Sequence, residues 1–428
     1  MLPSLLFSRY HAGMDKLRAS TYSILRWSER YTKTDMVYLA SGGFWLVLEQ
    51  AVGIALSMSL AIAFGHFASK DMYGNYKYVL SLAAMFGAIS LSGLGDAMSQ
   101  SVARGLDGTL VQSFKLQIKW SLPFVLLSLG ASAYYGFLGN GYLASALIIV
   151  AFLQPLLSAL SPFAGFFFAQ KDFARGSLSL IGTNTFTFIA MIAALFLGER
   201  AIILVGTYFL AKTIASGYFF WKARTHARNT ITDPELLHYS SHLSVMNILA
   251  AIADKFDSII IFSLLGPVQL ATYAFAGAAP EQLKGVLKNF YGLSLPKLTG
   301  RPLEELRVTL WRKILLLSLF TFACIGLYIL IAPLLFRVFF PVYLDSVQYS
   351  QWYALSIVFS AIPPMLLASL TAHKKTRALY IVTNGPSIIL IASILILVPL
   401  YGIMGAVIAQ IIYRAGNAAI VSWQFMKS

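Results

Sequence analysis

The sequence predicts an all-α membrane protein with twelve transmembrane helices arranged as two parallel six-helix repeats. Three observations lead there. Hydrophobic residues make up 58% of the chain and charged residues 11%, with a mean hydropathy of +0.72, far from the balance of a water-soluble domain. Apolar lengths of about 20 residues recur throughout, enough to cross roughly 30 Å of hydrocarbon as helices that satisfy their own backbone groups, and the alternation of a membrane β-barrel is missing. Finally, the stretch from Ser158 to Trp221 returns at a constant offset of 202 residues. Ser158-Ala159-Leu160-Ser161-Pro162 becomes Ser360-Ala361-Ile362-Pro363-Pro364, Arg175 becomes Arg377, Trp221 becomes Trp423, and Lys212 becomes Arg414. A tandem hydrophobic unit with one cation buried in each copy is the pattern of a membrane carrier.

In chain order, residues 1–35 are a basic lead with Arg9, Lys16, Arg18, Arg26, Arg30 and Lys33, read either as an amphipathic segment on the membrane surface or as a disordered tail. The predicted spans are 38–64, 73–100, 120–138, 143–169, 178–198 and 201–221, then 243–265, 268–294, 314–336, 350–371, 379–398 and 403–425. Turn residues separate them at Gly139-Asn140-Gly141, Gly198, Gly266-Pro267 and Pro399. The first six spans form an N-terminal lobe over 36–221 and the last six a C-terminal lobe over 241–428, joined by a basic linker at 222–240 that contains Asp233-Pro234. Of the 32 lysines and arginines, only Lys70, Arg200 and Arg337 fall in outside loops, while 23 fall on the other side. This bias places both termini in the cytoplasm. Six spans per copy is an even number, so the repeats are parallel and a binding site is expected between them.

Ionisable groups at membrane depth face a cavity or a partner. The cations here are Lys212, Lys255, Lys284 and Arg414, the candidates for holding a pyrophosphate or sugar headgroup. The anions are Glu49, Asp254, Asp257 and Glu281, the candidates for coupling to a proton or sodium ion. Glu281 and Lys284 are three apart and within reach of each other, whereas Lys255, adjacent to Asp254, is expected to point away from it. Lys77 and Lys288 are expected to snorkel to the interface. The competing reading is that all these charges pair structurally across the bundle. The aromatic runs Phe166-Phe167-Phe168, Tyr134-Tyr135 and Trp352-Tyr353 read as lipid packing or interfacial belts, with a minority available to stack on sugar rings.

The net charge of +15 raises nucleic acid as a partner, but the cations lie in loops on one membrane side, which excludes it. The sequence holds no catalytic cluster, no metal-ligand spacing, no cofactor motif and no nucleotide-binding glycine loop. The chain is therefore expected not to be an enzyme and to have no metal or cofactor. Its single cysteine, Cys324, rules out an internal disulfide.

Three stretches carry a family resemblance. One runs from Phe64 through Tyr73-Gly74-Asn75-Tyr76 to Gly93-Leu94-Gly95-Asp96-Ala97. The second is Ala253-Asp254-Lys255-Phe256-Asp257-Ser258 through Leu265-Gly266 to Ala271-Thr272-Tyr273, and the third is Pro399-Leu400-Tyr401-Gly402-Ile403-Met404-Gly405-Ala406. In these the chain resembles the polysaccharide transporters, or O-antigen repeat-unit flippases, of the multidrug/oligosaccharidyl-lipid/polysaccharide (MOP) exporter superfamily. The resemblance implies a V-shaped, alternating-access carrier in the bacterial inner membrane. Its substrate would be an undecaprenyl-pyrophosphate-linked oligosaccharide, moved from the cytoplasmic to the periplasmic leaflet among membrane lipids. It leaves open docking to a polysaccharide polymerase and a chain-length regulator. It assigns no role to Lys212, Lys255 or Arg414, which rest on the charge argument. A cation-coupled drug antiporter of the same superfamily and a peptidoglycan-precursor flippase stay open as alternatives, and a membrane glycosyltransferase or polymerase is disfavoured by the short outer loops.

Overall fold

The computed structural model describes residues 36–197, 201–292, 303–372 and 376–427, and within these every predicted span is formed by one helix or by helical pieces separated by short breaks. The basic lead and Arg200, Lys297, Arg301, Lys374 and Lys375 lie outside the described residues. Span 1 is α1 (Met36–Phe67). Span 2 is two helices, α2 (Lys70–Gly87) and α3 (Leu94–Ala103), and α4 (Thr109–Lys119) follows in the basic loop. Span 3 is α5 (Leu122–Phe137). Span 4 is α6 (Gly141–Leu160) and α7 (Phe163–Ala169). Spans 5 and 6 are α8 (Phe173–Phe196) and α9 (Ala201–Thr225). In the second half, α10 (Leu236–Leu265), α11 (Pro267–Gly292) and α12 (Leu303–Phe339) form spans 7 to 9. Span 10 is α13 (Ser346–Ile357), a 3-10 turn at Val358–Ala361 and α14 (Pro363–Ala372). Spans 11 and 12 are a single helical path, α15 (Thr376–Lys427), broken at Gly402.

The repeat seen in the sequence is a repeat of structure. Span 4 breaks at Ser161-Pro162 and span 10 breaks at Ile362, both within the stretches 158–162 and 360–364 that the offset matches and one residue apart in register. Proline lacks the N–H that would continue the helical ladder. At the far ends of the matched spans, Arg224 lies over the Trp221 ring at 5.6 Å and Lys427 over Trp423 at 5.2 Å, cation–aromatic contacts to matched tryptophans from cations one position out of register.

Seven segments among the described residues are long and apolar enough to cross a bilayer by themselves, the last of them, Ala378–Lys427, covering two predicted spans. Helices α10 and α11 are not among the seven. They carry Asp254, Lys255, Asp257, Glu281 and Lys284, charges that are tolerable at depth against a cavity or a partner.

The packing is asymmetric along the membrane normal. One large apolar core, with Phe64, Tyr73, Phe209, Leu270, Phe275 and Tyr343, joins the two halves near the ends that hold Phe67, Leu265 and Pro341. Toward the opposite face the core divides into two clusters. One is built from Leu94, Met98, Phe166, Phe167 and Phe220, the other from Ile314, Leu366, Leu370, Val421 and Phe425. The run Phe166-Phe167 is thus interior packing within the first half. At the joined end Lys70 Nζ meets Asp345 Oδ2 at 2.8 Å, Thr272 Oγ1 also donates to Asp345 Oδ2 (3.2 Å), and the Phe275 and Tyr343 rings stack at 3.7 Å.

Helices α9 and α10 both run beyond their apolar parts, so the connection between the halves is only residues 226–235. Two buried aspartates tie it to the first half. Asp107 accepts from Gln170 Nε2 (2.9 Å) and from the Arg228 backbone N–H (2.7 Å). Asp233 accepts from Ser101 Oγ at 2.6 Å and from Arg104, while its carbonyl accepts from Gln112 Nε2 at 2.8 Å. The Ser101 hydrogen bond, helped by the Glu235 N–H and Arg104, outweighs burial and holds the Asp233 carboxyl below the usual carboxylate range.

Candidate functional site

Between the halves lies a cavity of about 1090 Å³, lined by α1, α2, α6 and α9 from the first half and α10, α11, α13 and α15 from the second. Its walls mix hydroxyl and amide groups (Ser57, Ser81, Gln154, Ser158, Ser161, Ser258, Gln282, Gln410) with the rings of Phe64, Tyr73, Tyr76, Tyr208, Phe209, Tyr273, Tyr353 and Tyr413. All four predicted cations and three of the four predicted anions line it: Lys212, Lys255, Lys284 and Arg414, and Asp254, Asp257 and Glu281.

Glu49 does not line the cavity. The α1 residues that do begin at Ser57, about 12 Å further along at 1.5 Å per residue. Around Glu49, α1 runs beside α8 of its own half. Lys77, expected to snorkel away, lines the cavity instead, with its Nζ 5.5 Å from the centre of the Tyr73 ring. It lies on the inward face of α2 with Tyr73, Tyr76 and Leu80, the three-to-four-residue spacing that would have revealed it. The side chain of Lys288, also expected at the interface, lies outside the described residues.

The charges are arranged unevenly. Every cavity carboxylate has a partner. Asp254 pairs with its neighbour Lys255 at 2.8 Å, against expectation, because the four-carbon lysine stem folds back along the helix surface. Glu281 pairs with Lys284 at 3.2 Å, accepts from Tyr353 Oη at 2.7 Å, and receives Nη2 of Arg414. Asp257 accepts from Tyr273 Oη (2.6 Å), the Ser258 N–H (2.6 Å) and Gln410 Nε2 (3.1 Å). All of these carboxylates belong to α10 and α11.

The first half contributes Lys77 and Lys212 and no carboxylate to the cavity. Neither lysine forms an ion pair among the described residues. Lys212 Nζ donates to Tyr208 Oη at 3.1 Å and lies 5.2 Å from the centre of that ring. The two repeat-related cations, Lys212 on α9 and Arg414 on α15, face the same space from opposite halves. Arg414 is 4% exposed, its Nη2 donates to Tyr353 Oη at 3.0 Å, and its Nε and Nη1 have no hydrogen-bond partner among the described residues. Buried guanidinium donors without partners are costly unless something anionic or polar reaches them.

Sequence reasoning missed Tyr273, Tyr353 and Gln410, which hold the buried carboxylates. Tyr353 sits in an aromatic pair that reads as an interfacial belt, and only its fold neighbours distinguish it. Among the described residues no group of three histidine, cysteine, aspartate or glutamate side chains is placed to hold a metal ion.

A family model described as polysaccharide biosynthesis protein matches residues 39–294. No curated protein matches the chain. Among solved structures it is similar to the lipid II flippase MurJ in an inward closed conformation, with a TM-score of 0.67, 15% identity and coverage of 91% of this chain and 89% of that one. An outward-facing multidrug resistance MATE family transporter of the MOP superfamily gives a TM-score of 0.64 at 13% identity, over 90% of this chain and 95% of that one. A MOP superfamily transporter from Pyrococcus furiosus, described by the reverse polarity of its binding pocket, gives 0.63 at 15% identity, over 90% and 94%. At such identities the likeness is one of fold.

Proposed function

The chain belongs to the polysaccharide biosynthesis protein family and has a MOP-superfamily transporter fold, and on that premise we propose that it is a flippase for a polyprenyl-pyrophosphate-linked oligosaccharide repeat unit. The observation that carries this reading is the charge of the cavity's first-half wall, where Lys77 and Lys212 stand without a carboxylate partner, opposite Arg414. A diphosphate is a compact double anion, and unpaired ammonium groups in a partly dehydrated site bind it far more strongly than they would in water. The surrounding tyrosines offer flat faces and hydroxyls to sugar rings.

Transport is by alternating access between an N-terminal lobe of spans 1–6 and a C-terminal lobe of spans 7–12. The inner membrane is its location, with both termini cytoplasmic as the loop charges require. The joined end of the bundle is then periplasmic, and the described conformation faces the cytoplasm. Asp257, held by Tyr273 and Gln410, and Glu281, held by Arg414 and Tyr353, are the candidates to bind a proton or sodium ion and to exchange partners during the cycle. The drug-antiporter reading would need carboxylates free to meet a cation. Each cavity carboxylate is engaged, and the unpaired groups are lysines, which favours the anionic substrate.

The test is lipid analysis of a deletion strain of the source bacterium, complemented with wild type, Lys212→Ala or Lys77→Ala/Lys212→Ala. Polyprenyl-pyrophosphate oligosaccharide should accumulate in the deletion strain and in the double variant at wild-type protein levels, with surface polysaccharide lost. Normal lipids together with sensitivity to cationic drugs would transfer the function to the antiporter class.

A further inference from the structure

A second polar pocket, of about 410 Å³, lies away from the central cavity where α1, the α7–α8 turn and the chain after α9 come together. Two membrane-length segments end at it: Phe173–Phe196 begins there and Ala201–Thr225 ends just before it, while Gly42 and Trp45 come from the first turns of α1. Two span ends and the start of α1 meeting at one place put the pocket at the surface of the bilayer, at headgroup level. Trp45, which lines it, is the residue type that settles at such interfaces.

The pocket presents Lys171, Arg175 and Arg228 against a single carboxylate, Asp172, with His226 beside them. Asp172 is occupied twice over. Its Oδ1 caps α8 by accepting from the Arg175 N–H at 3.0 Å, and its Oδ2 accepts from Arg175 Nη1 at 2.7 Å. Lys171 and Arg228 form no ion pair among the described residues. Arg228 lines the pocket, is exposed, and is anchored by its backbone N–H on Asp107.

Lys171 carries an independent signal. It is the one described non-glycine residue with a positive φ (65°). Its N–H bonds to the Phe168 carbonyl at 3.0 Å and the Asp172 N–H to the Phe167 carbonyl at 2.9 Å. That is the left-handed helix stop at which glycine is the unstrained choice. Lys171 thus stands, in a conformation that favours glycine, at the rim of a basic concavity, a placement that motivates a role for its side chain there.

We propose that this pocket is a binding site for the phosphate of an anionic lipid headgroup at the bilayer surface, with Lys171 and Arg228 as its principal ligands. Basic pockets between spans at the cytoplasmic surface fit such headgroups, and each cation near the surface adds to the attraction. The site is separate from the central cavity and does not depend on what that cavity transports.

The experiment uses the purified full-length chain, with bound lipid counted by native mass spectrometry after titration with phosphatidylglycerol in phosphatidylcholine. Lys171→Gly removes the charge and relieves the left-handed strain, so this variant should be at least as stable as wild type and cannot fail by misfolding. Lys171→Gly/Arg228→Gln should bind phosphatidylglycerol about tenfold more weakly or worse. Lys115→Gln/Lys119→Gln, which removes the same charge from exposed positions of α4 in the basic loop after span 2, should bind as wild type does. Unchanged affinity in the pocket variant overturns the site, and so does an equal loss in the Lys115/Lys119 variant, which would mean diffuse charge. A parallel titration with inorganic phosphate separates the sources. If phosphate displaces the lipid from wild type and has no effect on the pocket variant, the phosphate site stands and a soluble anion shares it. If phosphate has no effect on either, the lipid is the ligand.

Discussion

Arg414 and Lys212 occupy matching positions in the two repeats and differ in what depends on them. Arg414 is buried against Glu281 and Tyr353, and Arg414→Ala leaves a carboxylate with only Lys284 and a tyrosine. Breaking a buried pair from one side costs about 3–5 kcal/mol, and partial exposure of Glu281 places this case toward the lower figure. Lys212 forms no ion pair among the described residues and holds the Tyr208 ring and hydroxyl, a contact worth about 1–2 kcal/mol. Lys212→Ala should therefore leave the thermal unfolding midpoint in detergent within a few degrees of wild type, while Arg414→Ala lowers it clearly. Both should abolish complementation of a deletion strain if both cations hold the substrate. A Lys212→Ala protein that complements fully would remove this lysine from the clamp.

At the scale of elements, the motif glycines are explained by backbone approach. Gly74, in Tyr73-Gly74-Asn75-Tyr76, faces the backbone of Pro267 at the start of α11, where any Cβ would fall on the carbonyl group. Its absence of a side chain lets a first-half helix pack directly on a second-half helix at the closed end of the cavity. Gly402 adopts φ 59°, ψ −134° and turns the path of α15 between two spans, a conformation that side chains resist. Gly74→Ala should cost about 1–3 kcal/mol through enforced separation of α2 and α11, read as a lower unfolding midpoint. A midpoint equal to wild type would mean that the two helices are not packed this closely.

For the whole molecule, contacts between the halves run from the closed end of the cavity to the packing of α3 on α10, where the Gly93 N–H donates to Ser244 Oγ at 2.9 Å. At the closed end they are the Lys70–Asp345 pair, the Tyr73 and Phe275 rings at 4.9 Å, the stacked Tyr78 and Phe262 at 3.7 Å and the shared apolar core, while toward the other face the core is divided in two. A rocking carrier must break the closed-end set. In a Cys324→Ser background, Lys70→Cys/Asp345→Cys bridged by a short thiol cross-linker should stop surface polysaccharide export, and a reducible linker should restore it on reduction. Undiminished export by a fully bridged protein would exclude opening at this end.

Composition determined the class and the spans, because membrane insertion responds to properties that are sums over local residues. The internal repeat was legible because a duplicated fold keeps its helix breaks and its buried cations in register. Six of the eight residues singled out by charge at depth are joined in the cavity with a partner named above, and Lys212 joins them there against Tyr208. Glu49 does not join them, because depth along a helix does not say which neighbour its face meets. The reassignment of Lys77 from interface to cavity, the pairing of Lys255 back onto Asp254, and the grip of Tyr273, Tyr353 and Gln410 on the carboxylates were decided by tertiary structure alone. Each depends on which helix lies opposite and how far away, a relation between residues distant in sequence that no local pattern encodes.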